Sequence, residues 1–358
     1  MAKKILVVDL LCPRGHVIFD LGIIDALSRD FAVHVAVGNG YLGQERVNGA
    51  SVVYQAPSWL FSHSSKVGVR VKQICVALYW ATRLDLDSYD GILVLSYETI
   101  SFSWVTGLFG RRVPLYAFDH YNLDDFAARV KQWSFRKLSR RVHHLVLEPY
   151  MVDVVHRFGG PTAHVSVVPH PMRDVPPAMI RGIKGDKSDI RLRCVAPSGS
   201  NDESFVEWMI QEEVASEVLQ QHSVSLVLHS SKVSFDDGWL RVYRYQLKED
   251  EYESLIYGAD LVVLPYPQTF ENRVSGVLLE ALACGKYWIG TGVPMFRSYA
   301  SRYPMLGQVC ESYQELLAGI LQVTRERLRA TPESAWDSVN AAHNRIAVAA
   351  ALVQAFEL

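Results

Sequence analysis

Apolar and polar positions along this chain follow two alternating periods. Short β-branched runs, bounded by Gly, Pro, Asp or Asn, predict strands over residues 5–10, 33–37, 51–54, 91–96, 115–118, 144–147 and 165–168. A second series follows over 191–196, 224–229, 240–245, 261–266 and 287–291. Between the runs, apolar residues recur every third or fourth position, as at Val17, Leu21, Ile24 and Leu27. Helices are likewise expected over 204–219, near 249–257, and from Ser312 onward, ending in an alanine-rich stretch over 336–356. Strands alternating with helices are the signature of parallel βαβ units.

Near residues 169–190 the pattern lapses into Pro-His-Pro, then Pro176-Pro177, then a Gly- and Lys-containing run, which reads as a linker. The predicted class is therefore α/β, with two doubly wound, Rossmann-like domains facing a cleft. Residues 1–172 form the first, 173–190 the linker and 191–338 the second, and 339–358 form a helix that packs back on the first. Ligands of such sheets sit beyond the strand C-termini, where connections reverse, so residues just after strands are the candidates for chemistry.

Composition narrows the setting. In 358 residues, 49% apolar and 21% charged content describes a soluble globular chain. Net charge is only −2, yet residues 1–175 carry 19 Lys+Arg against 15 Asp+Glu while the remainder is acidic, so the two halves meet different partners. Five widely spaced cysteines without a CxxC argue against a disulfide framework or a cysteine zinc site and for a cytoplasmic setting. The apolar run after Lys3-Lys4 is short and broken by Asp9, which reads as a buried first strand rather than a signal peptide. No run approaches the roughly 18 apolar residues of a membrane span.

The stretch most suggestive of chemistry runs from Glu271 to Lys286. It follows a strand and opens a helix, with Ser275 as N-cap and Gly276 allowing close approach to backbone N–H groups, an arrangement that favours anions. Glu280 lies one turn further along the same face, where a carboxylate suits ribose hydroxyls beside a diphosphate. Other post-strand loops offer Arg14 and Gly15, then Ser198 and Gly199, then Lys232 as a counter-charge for phosphate. The segment 244–247, containing Tyr245, is the expected place for a base. Asp119-His120 follows the strand over 115–118, and an imidazole there suits a sugar hydroxyl or a breaking bond. Glu98 is a weaker candidate of the same kind.

Two motif matches are set aside. Gly38-Asn-Gly40-Tyr-Leu-Gly43 fits GxGxxG but follows the second strand and leads into no helix, so these are loop glycines. Asp85-Leu-Asp87 fits DxD, yet it precedes a strand, on the wrong edge for a metal site. Residues 126–147 contain no acid, and Arg129, Lys131, Arg136, Lys137 and Arg140 interleave with Trp133, a composition suited to an anionic membrane surface. A nucleic-acid face and a plain solvated helix have the same pattern; nucleic acid is not the expected partner.

With these residues in view, the chain resembles a GT-B glycosyltransferase, closest to the retaining family 4 group of bacterial polysaccharide enzymes. Glu251 through Pro265, followed by Ser275-Gly-Val-Leu-Leu-Glu-Ala-Leu-Ala-Cys-Gly-Lys286, carry the resemblance, with weaker echoes at Gly15-His16, His120 and Val167-Val-Pro-His170. The resemblance implies a metal-independent transferase without resident cofactor, binding a nucleotide diphosphate sugar on the second domain and a glycan or lipid-linked acceptor on the first. It implies ribose contact by Glu280, the second glutamate of the family's EX7E pair. Asn272 stands where the first glutamate would be, with Glu271 one place earlier, and the family's Arg and Lys pair is missing from Pro197 to Asn201. Arg273 or Lys232 would then face the diphosphate. An epimerase or hydrolase of the same fold, or a silent nucleotide-binding subunit, would carry the same motifs.

Overall fold

The computed structural model describes residues 2–43, 50–62, 65–109, 112–120, 122–124, 126–175 and 190–357. They fall into two compact units. The first comprises Met1–Met172 together with Asn272–Val274 and Ala342–Leu358; the second comprises Arg173–Glu271 and Ser275–Ala341.

In the first unit, β1 (Lys4–Val8), β2 (Ala32–Gly38), β3 (Ala50–Ala56), β4 (Gly91–Val94), β5 (Leu115–Phe118), β6 (Val142–Val146) and β7 (Val165–Val167) form one parallel sheet. Its order is β3-β2-β1-β4-β5-β6-β7. Central strands β1, β4 and β5 are continuous apolar runs because helices cover both their faces. On one face Phe19, Ile23, Met151, Val155, Val348 and Leu352 share a core, so the Val17–Leu27, Tyr150–Gly159 and Arg345–Glu357 helices lie together there. On the other, Val76, Trp80, Phe102 and Val105 bury the Lys66–Arg83 and Thr99–Val105 helices.

In the second unit, β8 (Leu192–Ala196), β9 (Val224–His229), β10 (Phe235–Asp236), β11 (Leu240–Tyr243), β12 (Leu261–Leu264), β13 (Tyr287–Thr291) and β14 (Gly307–Cys310) take the order β10-β11-β9-β8-β12-β13-β14. All pairs are parallel except β10 with β11. In both sheets the chain reverses direction of winding at the first strand of the unit, β1 or β8, which marks the ligand-binding edge.

Strands β10 and β14 and the Lys66–Arg83 helix had no clear signal in the apolar pattern: the two strands are short or polar, and the helix has two cations in its first five positions. The helix expected over 204–219 divides at Glu217, whose φ of 51° is left-handed, into Glu203–Ser216 and Val218–Gln221. Glu213 explains the break, since its carboxylate accepts from the backbone N–H groups of Leu219 at 2.7 Å and Gln220 at 3.3 Å. The alanine-rich stretch likewise divides into Glu333–His343 and Arg345–Glu357, with Asn344 Oδ1 accepting from the N–H of Ala347 at 2.9 Å. The latter helix packs on Val17–Leu27 within the first unit, and the Phe356 ring lies tilted against that of Tyr116, 4.0 Å between centroids. Of the linker read over 173–190, residues 176–189 lie outside the described residues, and Arg173 is an integral part of the second unit.

Candidate functional site

In the second unit the Gly276–Ala283 helix meets the Glu249–Gly258 helix through Glu280 and Tyr252. Ser275 caps the former, its hydroxyl accepting from the N–H of Leu278 at 3.2 Å and pairing with the Tyr266 hydroxyl at 2.8 Å. That capping hydroxyl is fully buried, so what this end offers a ligand is backbone rather than the serine side chain. Gly276 is exposed, and a Cβ there would meet nothing within 4 Å. Open space at a helix N-terminus lets an anion reach the free amides.

One turn on, Glu280 Oε2 accepts from the Tyr252 hydroxyl at 2.5 Å. Burial pushes the Glu280 carboxyl above the usual carboxylate range, Tyr252 and Arg173 oppose that rise, and Glu253 and Glu249 add to it. Burial and the neighbouring Glu280 carboxylate push the Tyr252 phenol well above its ordinary value, so it stays a donor. Arg173 is ion-paired with Glu253 beside them. Arg173, Val175, Tyr252, Tyr257, Glu280 and Cys284 line a cavity of about 270 Å³, counting its opening to solvent.

Around it lie the post-strand loops. After β8, Gly199 is exposed with open space at its Cβ, while Ser198 is buried and its Oγ accepts from the N–H of Ser200 at 3.0 Å. Asn201 locks the loop to β8 and β9 through Ala196 O at 2.7 Å and His229 O at 3.0 Å. After β11 the exposed ring of Tyr245 lies 5.4 Å from that of Tyr243, which lies 5.2 Å from His229. Lys232 is exposed but faces Glu203, a carboxylate held below its ordinary value chiefly by the Ser230 and Ser231 hydroxyls against a burial effect. Its charge is therefore partly spent.

Asn272 and Arg273 correct the expectation placed on them. Both belong to the first unit. Asn272 donates from its backbone to Asp124 Oδ1 at 2.9 Å and from its amide to Leu123 O at 3.1 Å, and Arg273 is ion-paired with Asp124. Tyr150 holds the Arg273 carbonyl at 3.0 Å. The Arg273 guanidinium that the sequence offered to a diphosphate neutralises a buried aspartate instead, because Asp124 would otherwise be a desolvated charge. Glu271, the neighbouring residue, is exposed and belongs to the second unit.

In the first unit, the turn Arg14–His16 follows β1, and Gly15 is exposed with open space at its Cβ. Two buried carboxylates support it. Asp9 Oδ1 accepts from the N–H groups of Leu11 at 2.8 Å and Cys12 at 2.7 Å and from the Ser96 hydroxyl, holding Cys12 at a left-handed φ of 47°. Asp20 accepts from the Tyr41 hydroxyl at 2.7 Å. Nearby, the His120 ring lies 4.6 Å from His16 and edge-on to Phe19 at 4.3 Å, and His170 lies 4.9 Å from Phe19. Burial first, then His16 and His170, hold His120 well below the ordinary histidine range, so it is neutral at physiological pH. Its Nε2 is buried and has no hydrogen-bond partner among the described residues.

Asp119, read alongside His120, turns away from it. It is fully buried and accepts from the Tyr97 hydroxyl and from His144 Nδ1 at 2.8 Å, while His144 Nε2 meets Ser139 Oγ at 2.8 Å. That network joins β4, β5 and β6 and engages both oxygens of a carboxylate that has no exposed surface, which corrects the catalytic assignment. Glu98 caps the Thr99–Val105 helix through Ser101 at 2.9 Å and pairs with Arg70 at 3.3 Å. In the two set-aside motifs, Gly40 and Gly43 have φ of 75° and 73°, and the backbone carbonyl of Asp85 takes the Ser88 hydroxyl at 2.7 Å. Tyr252, Arg173, Tyr243 and His229 escaped sequence reading. None carries a local motif; each is placed by a fold-level neighbour.

Among the described residues no helix is long and apolar enough to cross a membrane. No protein-family model matches this sequence, and no curated protein matches it either. Solved structures do match it in fold. A glycosyltransferase from Rickettsia africae aligns with a TM-score of 0.67 at 10% identity, over 99% of this chain and 98% of its own. Sucrose-phosphate synthase from Thermosynechococcus elongatus aligns with a TM-score of 0.68 at 12% identity, over 99% and 98%. The Anabaena protein HepE, solved in complex with UDP, aligns with a TM-score of 0.64 at 13% identity, over 99% of both chains. The chain thus has the α/β GT-B fold, two Rossmann-like units.

Proposed function

We propose that this protein is a glycosyltransferase that moves a sugar from a nucleotide diphosphate sugar to a glycan or lipid-linked acceptor in bacterial cell-surface polysaccharide synthesis. One observation carries the reading: Glu280, half-buried and held by Tyr252, stands one turn above the open amides at Gly276. Glu280 Oε1 would accept from the ribose diol, the diphosphate would sit at the N-terminal amides, with the loop at Ser198 and Gly199 alongside, and the base would stack on Tyr245. That HepE was solved with UDP supports this choice of ligand.

The first unit would hold the acceptor. Arg14 and Gly15 lie on its ligand-binding edge, and His120, neutral and with one nitrogen unspent, would hydrogen-bond the transferred sugar. Departure of the diphosphate would be assisted by amides and cations, with no resident cofactor in the reading. Retention of anomeric configuration and metal independence belong to the same proposal. So does cytoplasmic placement at the inner face of the membrane, with Arg129, Lys131, Trp133, Arg136, Lys137 and Arg140 facing anionic lipid.

The engagement of Asn272 by Asp124 favours one alternative, nucleotide binding without transfer. Titration calorimetry with UDP, followed by transfer assays over UDP-sugars with and without candidate acceptors, separates the readings. Sugar release or epimerisation from the donor alone would indicate the hydrolase or epimerase, and absence of UDP binding would remove the proposal.

A further inference from the structure

A folded chain leaves few buried polar atoms without a hydrogen-bond partner, and each one asks for an explanation. Among the described residues, two such atoms lie at the ligand-binding edge of the second unit: Asn201 Oδ1 and Tyr243 Oη. Asn201 already gives its amide to the carbonyls of Ala196 and His229, so it locks its loop whatever its oxygen meets. Tyr243 differs, because the hydroxyl is the side chain's single polar group. The residue closes β11 and is 6% exposed. It stands opposite His229 in the parallel register with β9, and its carbonyl accepts from the N–H of Ser230 at 3.0 Å, so the backbone that carries the ring is fixed.

Packing does not need this hydroxyl. A phenylalanine would fill the same volume against the His229 ring, 5.2 Å away, and would avoid the cost of a desolvated donor. The neighbouring polar groups are spent. Tyr252 donates to Glu280 at 2.5 Å, Tyr266 pairs with Ser275 at 2.8 Å, and His229 is engaged with the Ser198 backbone. The unused hydroxyl stands between two assigned parts of the site. On one side the exposed ring of Tyr245 lies 5.4 Å away; on the other is Tyr252, whose phenol Tyr243 helps to raise. Burial first, then Tyr245, push the Tyr243 phenol itself up, so it is a donor over the whole working range. In a nucleoside the carbon bearing the base is bonded to the carbon bearing the 2′-hydroxyl, while the 3′-hydroxyl is one carbon further. The ribose group nearest a stacked base is therefore the 2′-hydroxyl.

We propose that Tyr243 is a specificity-determining residue that donates its hydroxyl to the ribose 2′-oxygen of the bound nucleotide, making the site select ribonucleotides over 2′-deoxyribonucleotides. The proposal rests on the nucleotide reading above, with the base on Tyr245 and the diol at Glu280, and adds to it a residue and a selectivity. The 2′-oxygen accepts from Tyr243 while its own proton goes to Glu280 Oε1, so one ligand hydroxyl bridges both protein groups. A deoxynucleotide lacks that bridge and leaves the phenol buried and unpaired, the arrangement that most sharply rejects an analogue short of one hydroxyl. Access is through Tyr245: an exposed ring changes rotamer within nanoseconds, so the ring that stacks on the base uncovers the phenol behind it.

Titration calorimetry with UDP and with 2′-deoxy-UDP, on wild type and Tyr243→Phe, tests this, with melting temperatures of the ligand-free proteins measured alongside. Wild type should prefer UDP. Tyr243→Phe should bind UDP about three- to tenfold more weakly, the worth of one neutral hydrogen bond, and bind 2′-deoxy-UDP as wild type does. Its preference for UDP should shrink by the same factor. Free of ligand, the variant should melt at or above the wild-type temperature, because it no longer buries an unpaired donor. A fall in that temperature would mean that the hydroxyl is already partnered in the free protein, and would overturn the proposal. Equal weakening of both nucleotides would put the hydroxyl on the base or the phosphates and overturn it too, as would an unchanged preference. If wild type binds no UDP, the nucleotide reading falls and this inference with it, so the wild-type titration tells the two failures apart.

Discussion

Tyr252 donates its hydroxyl to Glu280 at 2.5 Å, and each residue alters the other's protonation: the phenol lowers the carboxyl while the carboxylate raises the phenol. Glu280→Ala should weaken UDP binding by tenfold or more, since a ribose diol on a charged acceptor is worth about 1.5–3 kcal/mol per hydrogen bond. Tyr252→Phe should bind more weakly than wild type but better than Glu280→Ala. It should also show a distinct pH dependence. Because burial already raises the Glu280 carboxyl, the charged acceptor is lost as pH falls through that raised value. Removing Tyr252 raises it further, so affinity should begin to fall at a higher pH than in wild type. Calorimetry with UDP from mildly acidic to alkaline pH checks the order. Identical pH profiles would mean that Glu280 does not meet the ligand.

The Arg273–Asp124 pair makes a prediction opposite to the one its sequence position invites. Arg273→Ala strands the buried Asp124 carboxylate, with a cost to stability of about 2 kcal/mol after allowance for partial exposure. Melting temperature should fall clearly, while UDP affinity changes less than in Glu280→Ala. The double variant Arg273→Ala/Asp124→Asn should recover part of the loss. A stable Arg273→Ala protein with sharply weakened UDP binding would return the arginine to the diphosphate.

Asp20 gives a stability effect with a defined sign. Burial first, then Asp9, raise its carboxyl well above the ordinary range, so the folded chain holds a proton there that the unfolded chain has released. Stability on this account declines as pH rises from the unfolded aspartate pKa through the folded one. Asp20→Asn mimics the protonated form and can still accept from Tyr41. It should therefore melt higher relative to wild type at pH 8 than at pH 5, whereas Asp20→Ala, which leaves the Tyr41 hydroxyl only its longer bond to the Pro13 carbonyl at 3.1 Å, should cost about 1 kcal/mol at either pH. A pH-independent difference between Asp20→Asn and wild type would refute a proton held on Asp20 in the folded chain.

These residues also mark where reading from sequence stopped. Strands β1, β4, β5 and β12 were legible because burial on both faces leaves an unbroken apolar run, and Ser275 was legible because a cap is a local event. Glu280 was found through helical spacing from Gly276. Tyr252 and Arg173 were not, since each meets Glu280 only once separate segments fold together, and Arg173 lay in what composition made a linker. Asp119 and Arg273 were misread for a related reason. Position after a strand puts a residue at the right edge of a sheet, but it does not say whether the side chain turns toward solvent or inward to His144 or Asp124.

His120 should act as a neutral group throughout the working range. Since burial, His16 and His170 hold it well below the ordinary histidine value, the rate of transfer should show no inflection from His120 near pH 6.5. His120→Ala should lower turnover by about 100-fold, the low end for a positioned polar side chain, with UDP affinity nearly intact because UDP lacks the sugar. His120→Asn, which retains a hydrogen-bonding group, should recover part of that loss. Equal turnover in wild type and His120→Ala, measured at saturating donor, would remove the residue from the reaction.

Tyr245 is the residue we assign to the nucleobase, and its exposure makes it a clean test. Its ring is 62% exposed and braced by Tyr243 behind it, so substitution leaves the core untouched. Base stacking on an aromatic ring is worth about 1–3 kcal/mol, so Tyr245→Ala should weaken UDP binding by about five- to 150-fold with no change in melting temperature of the free protein. Tyr245→Phe should bind as wild type, because a stacking face needs no hydroxyl. The ligand-induced rise in melting temperature should shrink in the alanine variant in proportion to the lost affinity. If Tyr245→Ala and Tyr245→Phe bind UDP equally, the base lies elsewhere. If both bind as weakly as Glu280→Ala, the hydroxyl contributes a bond that stacking alone does not explain.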